Sequence, residues 1–516
     1  MSQLKWWETA IIYQIYPRSF QDSNADGIGD LQGIVSRLDY IANLGVDAIW
    51  ISPFFKSPQK DFGYDVSDYF DIAPEYGDLK DLEKLLSKAH SLNIKVMVDI
   101  VAAHCSDQHP FFKESRESKD NAKADWFHWV DAMPDGTAPT NWLSFFGGYA
   151  WSWEPRRQQY YLHNFLASQP NFNFSNSKVL DYFEEIARFW FDFGVDGFRL
   201  DAVHTINANK PPFKNNLPNL KFSPGSLPLD QQPFFRQLHD SAQLNQPEIQ
   251  EFSSRIRQVA DSYDDRFLMG EVDGDNNDAM KVSEIFTQSN RLHATYNFDL
   301  LEWDGLTIEE MKEVIDNAVN TFNGTGKLCF AFSNHDVPRS VSRQIAPLKV
   351  NKENSKNLQL LLLKLESCLI GSTCIYQGEE LAFEDITDIP LEKMQDPWGI
   401  EFAATFPGRD SCRTPMVWDA NARHGGFSDA NKTWLPIGKQ HFKQAALGEV
   451  KKPDSIYNSF SEFLVWRKSQ PAFMQANTMT KLSGSDRQII FDRISEQQTL
   501  RCYFDFDTLT ASFEEI

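Results

Sequence analysis

Short apolar runs alternate with amphipathic segments along most of this chain. Eight of the runs, rich in β-branched and aromatic residues, are predicted to be strands: residues 11–16, 47–52, 95–101, 197–200, 267–270, 294–298, 328–332 and 373–376. Segments between them, such as 79–92 and 178–193, carry apolar residues at intervals of three and four, as helices that pack on a sheet do. Strands that alternate with helices indicate a parallel sheet, and eight such units predict a (β/α)8 TIM barrel of the α/β class.

Two intervals between the predicted elements are too long for ordinary loops. Residues 105–173, which follow the third strand and are rich in Trp, Phe, Gly and Pro, are predicted to form an excursion domain. Residues 379–434 are predicted to be a long insertion after the eighth strand, within a barrel domain made of residues 1–104 and 174–470. Apolar and polar positions alternate in residues 471–516, which is typical of a short C-terminal β domain.

The charge balance argues against several classes of partner. The chain has 50 Lys and Arg residues against 72 Asp and Glu residues, and the resulting net charge of -22 opposes binding to nucleic acid and to anionic membrane surfaces. The start of the chain lacks the pattern of a secretory signal, and the apolar stretch 360–375 is interrupted by Lys364 and Glu366, so no membrane span is expected. Six cysteines without metal-ligand spacing fit a reducing compartment, and we expect a cytoplasmic protein.

Three short strings each run from an apolar stretch directly into a carboxylate: GFRLD, GEVD and SNHD, which end the fourth, fifth and seventh predicted strands. If these stretches are barrel strands, Asp201, Glu271 and Asp336 converge at the rim where barrel enzymes carry out their chemistry. A cluster of acids there suggests glycosyl transfer, because an oxocarbenium-like transition state needs an acid at the leaving oxygen and an anion beneath the sugar.

Each acid taken alone also has a structural interpretation. Asp201 could simply pair with Arg199, which lies two residues away on the same face of the strand. Three acids at three predicted strand ends, with His335 beside one of them and His104 at the end of another strand, favour a catalytic site.

Further strings extend along the predicted barrel in a fixed order. They are YQIYPRSF at 13–20, GYDVSDY at 63–69, DIVAAH at 99–104, GFRLDAVH at 197–204, YQGEE at 376–380 and GRDSCRTPMVW at 408–418. Together with GEVD and SNHD, these strings resemble the α-amylase superfamily, glycoside hydrolase family 13, and within it the α-glucosidase and oligo-1,6-glucosidase branch.

The resemblance implies a role for each of the three acids. Asp201 corresponds to the nucleophile that forms a β-glucosyl enzyme, Glu271 to the acid and then base, and Asp336 to the third acid, which stabilises the transition state through the sugar hydroxyls at C2 and C3. The nucleophile must be ionised, which Arg199 favours, whereas Glu271 must begin protonated. A double displacement of this kind retains the anomeric configuration.

The resemblance also implies a set of residues that line the sugar pocket: Asp61, Tyr64, His104, Phe165, Gln169, Arg199, His335 and Arg409. His104 and His335 correspond to residues that contact hydroxyls of the terminal glucose. Asp61 and Arg409 close off its non-reducing end, so one terminal glucose is removed at a time. Tyr64 is expected to supply a stacking face, although core packing is the commoner role of a lone aromatic residue.

The loop DSNADGIGD at 22–30 is a candidate metal site. Its oxygen donors are the side chains of Asp22, Asn24, Asp26 and Asp30 and the carbonyl of Ile28. This resembles the first part of a calcium loop, and the alternative is an Asx-rich turn that binds nothing. The family resemblance favours a structural Ca²⁺ or Mg²⁺ ion far from the chemistry, and no organic cofactor is expected.

The chain departs from the family pattern at three places. Ala103 stands where an Asn usually helps to hold a second calcium, so that metal site is expected to be absent. Asn171 stands where relatives often carry Asp, which puts a role for that side chain in doubt. The C-terminal β domain is shorter than the family's.

Ala202 bears on the choice of bond. In this branch of the family, valine at this position accompanies α-1,6 linkages and small Ala or Thr accompanies α-1,4 linkages, so maltose-like substrates are expected, with sucrose and aryl glucosides also fitting. A transglucosidase or sucrose isomerase would use the same site with another acceptor. A non-catalytic partner subunit would require a membrane anchor and loss of the acids, and a metal-buffering protein would require several complete ion loops.

Overall fold

A closed barrel of eight parallel strands forms the centre of the molecule in a computed structural model, which confirms the predicted α/β barrel class. The residues described are 4–206, 211–218, 238–239, 243–244, 249–273, 279–402 and 408–516. The barrel strands are β1 (Ile11–Ile15), β2 (Ala48–Ile51), β3 (Lys95–Val101), β4 (Gly197–Asp201), β5 (Phe267–Val272), β6 (Ala294–Asn297), β7 (Leu328–Phe330) and β8 (Ser372–Tyr376). Each strand pairs with its neighbours in sequence, and β8 pairs with β1.

Almost every residue of these strands is buried, because helices cover the outside of the barrel and side chains fill its inside. The apolar runs therefore predicted the strands. The last residues of some strands differ from the predicted ones. β5 continues two residues beyond the predicted end, to Val272. β7 stops at Phe330 because the N–H of Phe332 donates to Glu366 Oε2 at 3.1 Å rather than to a neighbouring strand.

Five of the longer described helices begin at a side-chain cap. The eight longer ones are α1 (Leu31–Leu44), α2 (Leu79–Ser91), α3 (Ser177–Phe193), α4 (Ile249–Asp261), α5 (Ala279–Phe286), α6 (Ile308–Phe322), α7 (Ser355–Cys368) and α8 (Ile456–Lys468). Asp30 caps the first turn of α1 by accepting from the N–H of Gly33, and Gly45 ends this helix in a left-handed conformation (φ 98°). Shorter helices are Pro110–Ser115, Ser340–Gln344, Pro397–Glu401, Ala446–Glu449 and Pro471–Met474.

Residues 105–173 leave the barrel after β3 and build a three-stranded antiparallel sheet from Trp129–Val130, Gln159–Leu162 and Trp151–Glu154. A small apolar cluster around Trp142 packs beside this sheet. Two further pairs of short strands lie outside the barrel: Phe55–Lys56 with Asp68–Ile72, and Leu217–Pro218 with Leu238–His239.

The C-terminal residues form an antiparallel sheet of four strands, Thr478–Met479, Gln488–Ile494, Thr499–Asp505 and Thr510–Glu515. Arg493, buried in this sheet, donates to the carbonyls of Cys368 (3.0 Å) and Leu369 (2.5 Å), which precede β8. The sheet is therefore attached at the amino-terminal end of the barrel, opposite the rim that carries the acids. Across the described residues, none of the helices is both long and apolar enough to cross a membrane.

Candidate active site

The three predicted acids lie at the carboxyl-terminal rim of the barrel. Asp201 is the last residue of β4, and Glu271 is the penultimate residue of the neighbouring strand β5. Asp336 lies six residues beyond the end of β7. Asp201 and Glu271 are both largely shielded from solvent, which strengthens every charge interaction between them.

One guanidinium links two of these acids and a third carboxylate. Arg199 Nη1 is 2.5 Å from Asp201 Oδ1 and 3.0 Å from Asp99 Oδ1, and Arg199 Nη2 is 2.5 Å from Glu271 Oε2. Arg199 and Asp99 are fully buried and lie opposite each other on β4 and β3. With three carboxylates to one cation, the cluster would carry a net charge of two negatives if all were ionised.

Burial therefore has a larger effect than Arg199 on the pKa values of Asp201 and Asp99. Burial raises the pKa of Asp201 well above its ordinary value, and Glu271 and Asp99 add to the rise while Arg199 opposes it. Burial likewise raises the pKa of Asp99 to about 7, against the opposing effect of Arg199. Arg199 thus favours the ionised form of Asp201, as expected, but burial and the neighbouring carboxylates raise the pKa of Asp201 more than Arg199 lowers it.

Asp336 lies in the opposite electrostatic environment. Its Oδ1 accepts from Arg409 Nη1 at 3.0 Å and from Arg413 Nη2 at 2.7 Å, and its Oδ2 is 3.2 Å from His335 Nε2. Burial alone would raise its pKa, but the histidine and the two arginines outweigh burial and hold the pKa well below the ordinary value. This carboxylate stays ionised.

Arg409 connects the two ends of the pocket. Besides Asp336, it binds Asp61 through Nη2 at 3.1 Å and Asp396 at 2.7 Å; Asp61 and Asp396 are buried, whereas Asp336 is partly exposed. Gln169 Nε2 donates to the other oxygen of Asp61 at 2.9 Å. The loop after β2, the excursion and the segment after β8 are thus joined at one point.

His104 lies at the end of β3 beside the same group. Its Nε2 is 3.2 Å from Gln169 Nε2 and 3.1 Å from the carbonyl of Tyr64, and its ring is 5.0 Å from that of Phe165. Burial lowers the pKa of His104 to about 4, so the imidazole is neutral at physiological pH. Its Nδ1 has no hydrogen-bond partner among the described residues.

Tyr64 stacks on His335 with 5.4 Å between ring centroids and an interplanar angle of 6°. Its hydroxyl is 2.5 Å from His335 Nε2 and 3.3 Å from Asp99 Oδ2. Every residue predicted to line the pocket is thus in contact with at least one other member of the group, while the chemical roles stay predictions.

The structure adds four residues that the sequence analysis did not single out: Gln14, Asp99, Asp396 and Arg413. Gln14, Asp99 and Arg413 occur within quoted strings, and a carboxylate inside an otherwise apolar strand was a usable signal for Asp99. Asp396 lies in the long segment after β8, where the sequence offers no comparable signal.

The candidate metal loop is folded tightly and lies apart from this group. Asp22 accepts from the N–H groups of Asn24 (2.9 Å) and Gly27 (2.8 Å), and Asp30 accepts from Ser23 and caps α1. Asp22 and Asp30 are buried, and within the described ranges no ion pair includes either of them. Burial raises the pKa of Asp30, with a contribution from Asp22. Oxygen donors of this kind are what a hard cation prefers. Among the described residues, however, no three acidic, His or Cys side chains are grouped so that they could hold a metal ion.

The structure shows the contacts of two residues, Ala103 and Asn171, that depart from the family pattern. Ala103 is fully buried, and its carbonyl accepts from the N–H of Phe172 at 3.1 Å. Asn171 Oδ1 accepts from the N–H of Asn164 at 2.8 Å, so this side chain stabilises the excursion.

Comparison with known proteins identifies the family of the chain. The family model described as "Alpha amylase, catalytic domain" matches residues 14–476. A probable α-glucosidase of Rhizobium meliloti is 46% identical over 473 residues, which cover 90% of this chain and 83% of that protein. An oligo-1,6-glucosidase of Halalkalibacterium halodurans is 32% identical over 538 residues, covering 99% and 92%.

Solved structures extend the likeness to glucosyl-transferring enzymes. The α-glucosyl transfer enzyme XgtA superposes with a TM-score of 0.90 at 40% identity, covering 98% of this chain and 92% of that one. A variant of the isomaltulose synthase of Erwinia rhapontici, in complex with its natural substrate sucrose, superposes with a TM-score of 0.86 at 30% identity, covering 98% and 91%.

Proposed function

Because the chain belongs to the α-amylase family of catalytic domains and is a glycoside hydrolase, we propose that it acts as a retaining, exo-acting α-glucosidase. The observation that carries the proposal is the contact of Asp201 and Glu271 with one buried Arg199 at the ends of neighbouring strands. Two carboxylates held side by side by one guanidinium suit a double displacement, in which one is ionised and the other protonated.

The proposed reaction has two steps. Asp201 attacks the anomeric carbon while Glu271 gives its proton to the leaving oxygen, and the first product departs. Glu271, now ionised, takes a proton from water, which attacks the glucosyl enzyme and releases glucose with the original α configuration. Asp336, held ionised by Arg409 and Arg413, accepts hydrogen bonds from sugar hydroxyls as positive charge develops on the ring.

The exo mode of action rests on the inner end of the pocket. The buried ion pair of Asp61 and Arg409, with Gln169 on its far side, supports a pocket that accepts a single terminal glucose. We propose short α-linked glucosides as the substrates, with maltose-like α-1,4 linkages preferred on the basis of Ala202, and with sucrose and aryl α-glucosides as further candidates.

A transglucosidase or sucrose isomerase is the second candidate. It would use the same glucosyl enzyme and pass the glucosyl group to a sugar rather than to water. The likeness to a glucosyl transfer enzyme and to an isomaltulose synthase favours it as an alternative. A non-catalytic partner subunit is disfavoured, because the chain keeps all three acids and their ionic partners.

For the loop at 22–30, we propose a structural Ca²⁺ or Mg²⁺ ion. Its ligands would be the side-chain oxygens of Asp22, Asn24, Asp26 and Asp30 and the carbonyl of Ile28. Such an ion would compensate the buried charge of the two aspartates that flank the loop.

The catalytic assignment is tested with Asp201→Asn and Glu271→Gln. Each variant should lose turnover of p-nitrophenyl α-glucoside while keeping the wild-type circular dichroism spectrum and melting temperature (Tm). Asp107→Asn, which alters an ion pair with Lys60 on the surface, is the matched control and should retain activity. Activity within about tenfold of wild type in Asp201→Asn or Glu271→Gln, roughly 1.4 kcal/mol of barrier, would contradict the proposal.

Natural sugars test which glucosidic linkage the enzyme cleaves and whether water or a sugar accepts the glucosyl group. Incubation with maltose, isomaltose, sucrose and trehalose, followed by anomer-resolved NMR, reports the bond cleaved, the anomer released first and any transfer product. Initial release of β-glucose would rule out the retaining mechanism. Products longer than the substrate, or isomers of sucrose, would favour the second candidate.

A further inference from the structure

Gln14 lies in β1 at the back of the pocket and is fully buried. Its amide nitrogen Nε2 is 2.8 Å from His335 Nδ1 and 3.2 Å from Ser52 Oγ, which follows β2. The other ring nitrogen of His335 faces the acid side of the pocket. Gln14 therefore touches His335 from the side opposite the proposed sugar.

The acid side determines which ring nitrogen carries the proton. His335 Nε2 is 3.2 Å from Asp336 Oδ2, and Asp336 is ionised because two arginines bind its other oxygen. This contact is an ion-pair distance and not a hydrogen bond, but the negative charge of Asp336 beside Nε2 favours a proton on that nitrogen. The Tyr64 hydroxyl gives its single proton to Asp99 Oδ2 at 3.3 Å, so in its 2.5 Å contact with His335 Nε2 it accepts and Nε2 donates.

A neutral ring with its proton on Nε2 has a bare lone pair on Nδ1. Burial lowers the pKa of His335 well below its ordinary value; Arg413, Arg199 and Arg409 lower it further, and Asp336 acts against them, so the ring is neutral. The group facing Nδ1 must then donate, and an amide nitrogen does so. Turning the amide of Gln14 would place its carbonyl oxygen against the lone pair, with two acceptors facing each other.

We propose that Gln14 is a positioning residue that holds His335 in the neutral form with the proton on Nε2. The ring then presents a hydrogen-bond donor to the side of the pocket where Asp336 lies. A directional chain of hydrogen bonds results, from Gln14 through His335 and Tyr64 to Asp99. The proposed glucosidase function enters only in identifying a sugar hydroxyl as the group that this donor serves.

The tautomer can be read directly by long-range ¹H–¹⁵N spectra of the full-length enzyme labelled at histidine. A His335→Gln variant identifies the resonances of His335. The wild type should show a protonated Nε2 and an unprotonated Nδ1. Gln14→Glu, which places a carboxylate at Nδ1, should move the proton to Nδ1 or protonate both nitrogens. Ser52→Ala removes the other partner of the Gln14 amide and should keep the wild-type pattern.

Gln14→Met is the second variant, with nearly the same volume and no donor. Its spectrum should show a mixture of the two tautomers. For Gln14→Glu, kcat should fall about tenfold, with a smaller change in KM, because the lost donor contact matters most in the transition state. Ser52→Ala should keep the kcat of the wild type.

Two outcomes would overturn the inference: a wild-type ring protonated on Nδ1, or an unchanged His335 spectrum in both Gln14 variants. Loss of activity or a lower Tm with an unchanged spectrum would indicate a merely structural role and would also overturn it. The spectra are independent of turnover. An enzyme without glucosidase activity that shows the expected tautomers would contradict the proposed function and leave the inference on Gln14 in place.

Discussion

At the scale of single residues, Arg199 sets the electrostatics of the site because Asp99, Asp201 and Glu271 share it. Asp99 is the member of this group that the proposed reaction uses neither as nucleophile nor as acid, so its charge can be removed without removing a reacting group. Its negative charge contributes to the raised pKa of Asp201. Replacing it with a neutral group lowers the pKa of the nucleophile, since an ionised neighbour of like charge is lost.

We therefore expect Asp99→Asn to move the acid limb of the pH dependence of kcat/KM to lower pH. The acid limb reports ionisation of the nucleophile in the free enzyme, so a lower pKa extends activity towards acid. Asp107→Asn, at an exposed ion pair, should leave the limb where it is. An acid limb that stays in place or moves to higher pH in Asp99→Asn would count against this description of the cluster.

Ala202 combines two constraints. Its backbone is left-handed (φ 40°), and its N–H donates to Glu271 Oε2 at 2.7 Å. A β-branched residue is strained at a positive φ, so both Ala202→Val and Ala202→Thr should lower Tm. Only the valine variant should raise hydrolysis of isomaltose relative to maltose, by a factor of about 10, which corresponds to a methyl-scale difference in a pocket.

The comparison of these two variants separates strain from specificity. Valine and threonine have nearly the same shape, so strain affects both alike. Equal ratios of isomaltose to maltose hydrolysis in wild type, Ala202→Val and Ala202→Thr would remove the argument for linkage.

Sequence patterns pointed to the three acids because each follows an apolar run: Asp201 ends β4, Glu271 is next to last in β5, and Asp336 lies six residues beyond β7. They did not identify Asp396 or Arg413 as partners of these acids, since the partner of a charged side chain depends on how distant segments pack. Asp396 and Arg409 are 13 positions apart, with the short helix Pro397–Glu401 between them, and only the folded chain places them 2.7 Å apart.

At the scale of elements, the loop at 22–30 and α1 form one unit, because Asp30 both closes the loop and caps the helix. If an ion occupies the loop, removing it leaves Asp22 and Asp30 as uncompensated buried charges. Treatment with a chelator should then lower Tm without abolishing activity. Asp26→Ala should have the same effect and should make Tm insensitive to the chelator.

Asp26 suits this test because it is exposed and accepts only from the N–H of Ile28 in the loop. Truncating it costs little in the folded chain by itself. A Tm that responds neither to the chelator nor to Asp26→Ala would favour the alternative of an Asx-rich turn that binds nothing.

The strands of the barrel were predictable as elements and less so at their ends. A strand buried on both faces is a continuous apolar run, which is visible without any partner. Its last residue is decided by pairing with neighbours: β7 pairs only two residues with β6 and two with β8. The short strands of the excursion, by contrast, carry mixed aromatic and polar residues, and the sequence analysis did not assign them.

At the scale of the whole molecule, the C-terminal sheet is joined to the barrel by buried arginines rather than by an apolar face alone. Arg493 donates to three backbone carbonyls, those of Cys368, Leu369 and Ala476. Arg493→Met leaves these carbonyls buried without donors, at about 1–3 kcal/mol each, and should lower Tm by about 5 °C or more. Activity of the folded enzyme should not change, because the sheet is attached opposite the site.

Arg501 on the neighbouring strand is the matched control. It pairs with Asp492 at 2.8 Å and is partly exposed, so Arg501→Met should change Tm by less than Arg493→Met does. Equal losses in the two variants would mean that the carbonyl contacts of Arg493 contribute nothing particular to the attachment.

The ion pair between Asp61 and Arg409 has a kinetic meaning beyond the choice of substrate. A pocket closed at its inner end has a single entrance. The terminal glucose unit enters first and the rest of the substrate last, so the rest of the substrate must leave first. On the proposed function, the leaving group departs while glucose is still covalently held, so free glucose is always the final product to exit. Glucose should therefore compete with substrate for the free enzyme. A long glucan must dissociate completely after each cleavage, so the enzyme cannot act processively along a chain.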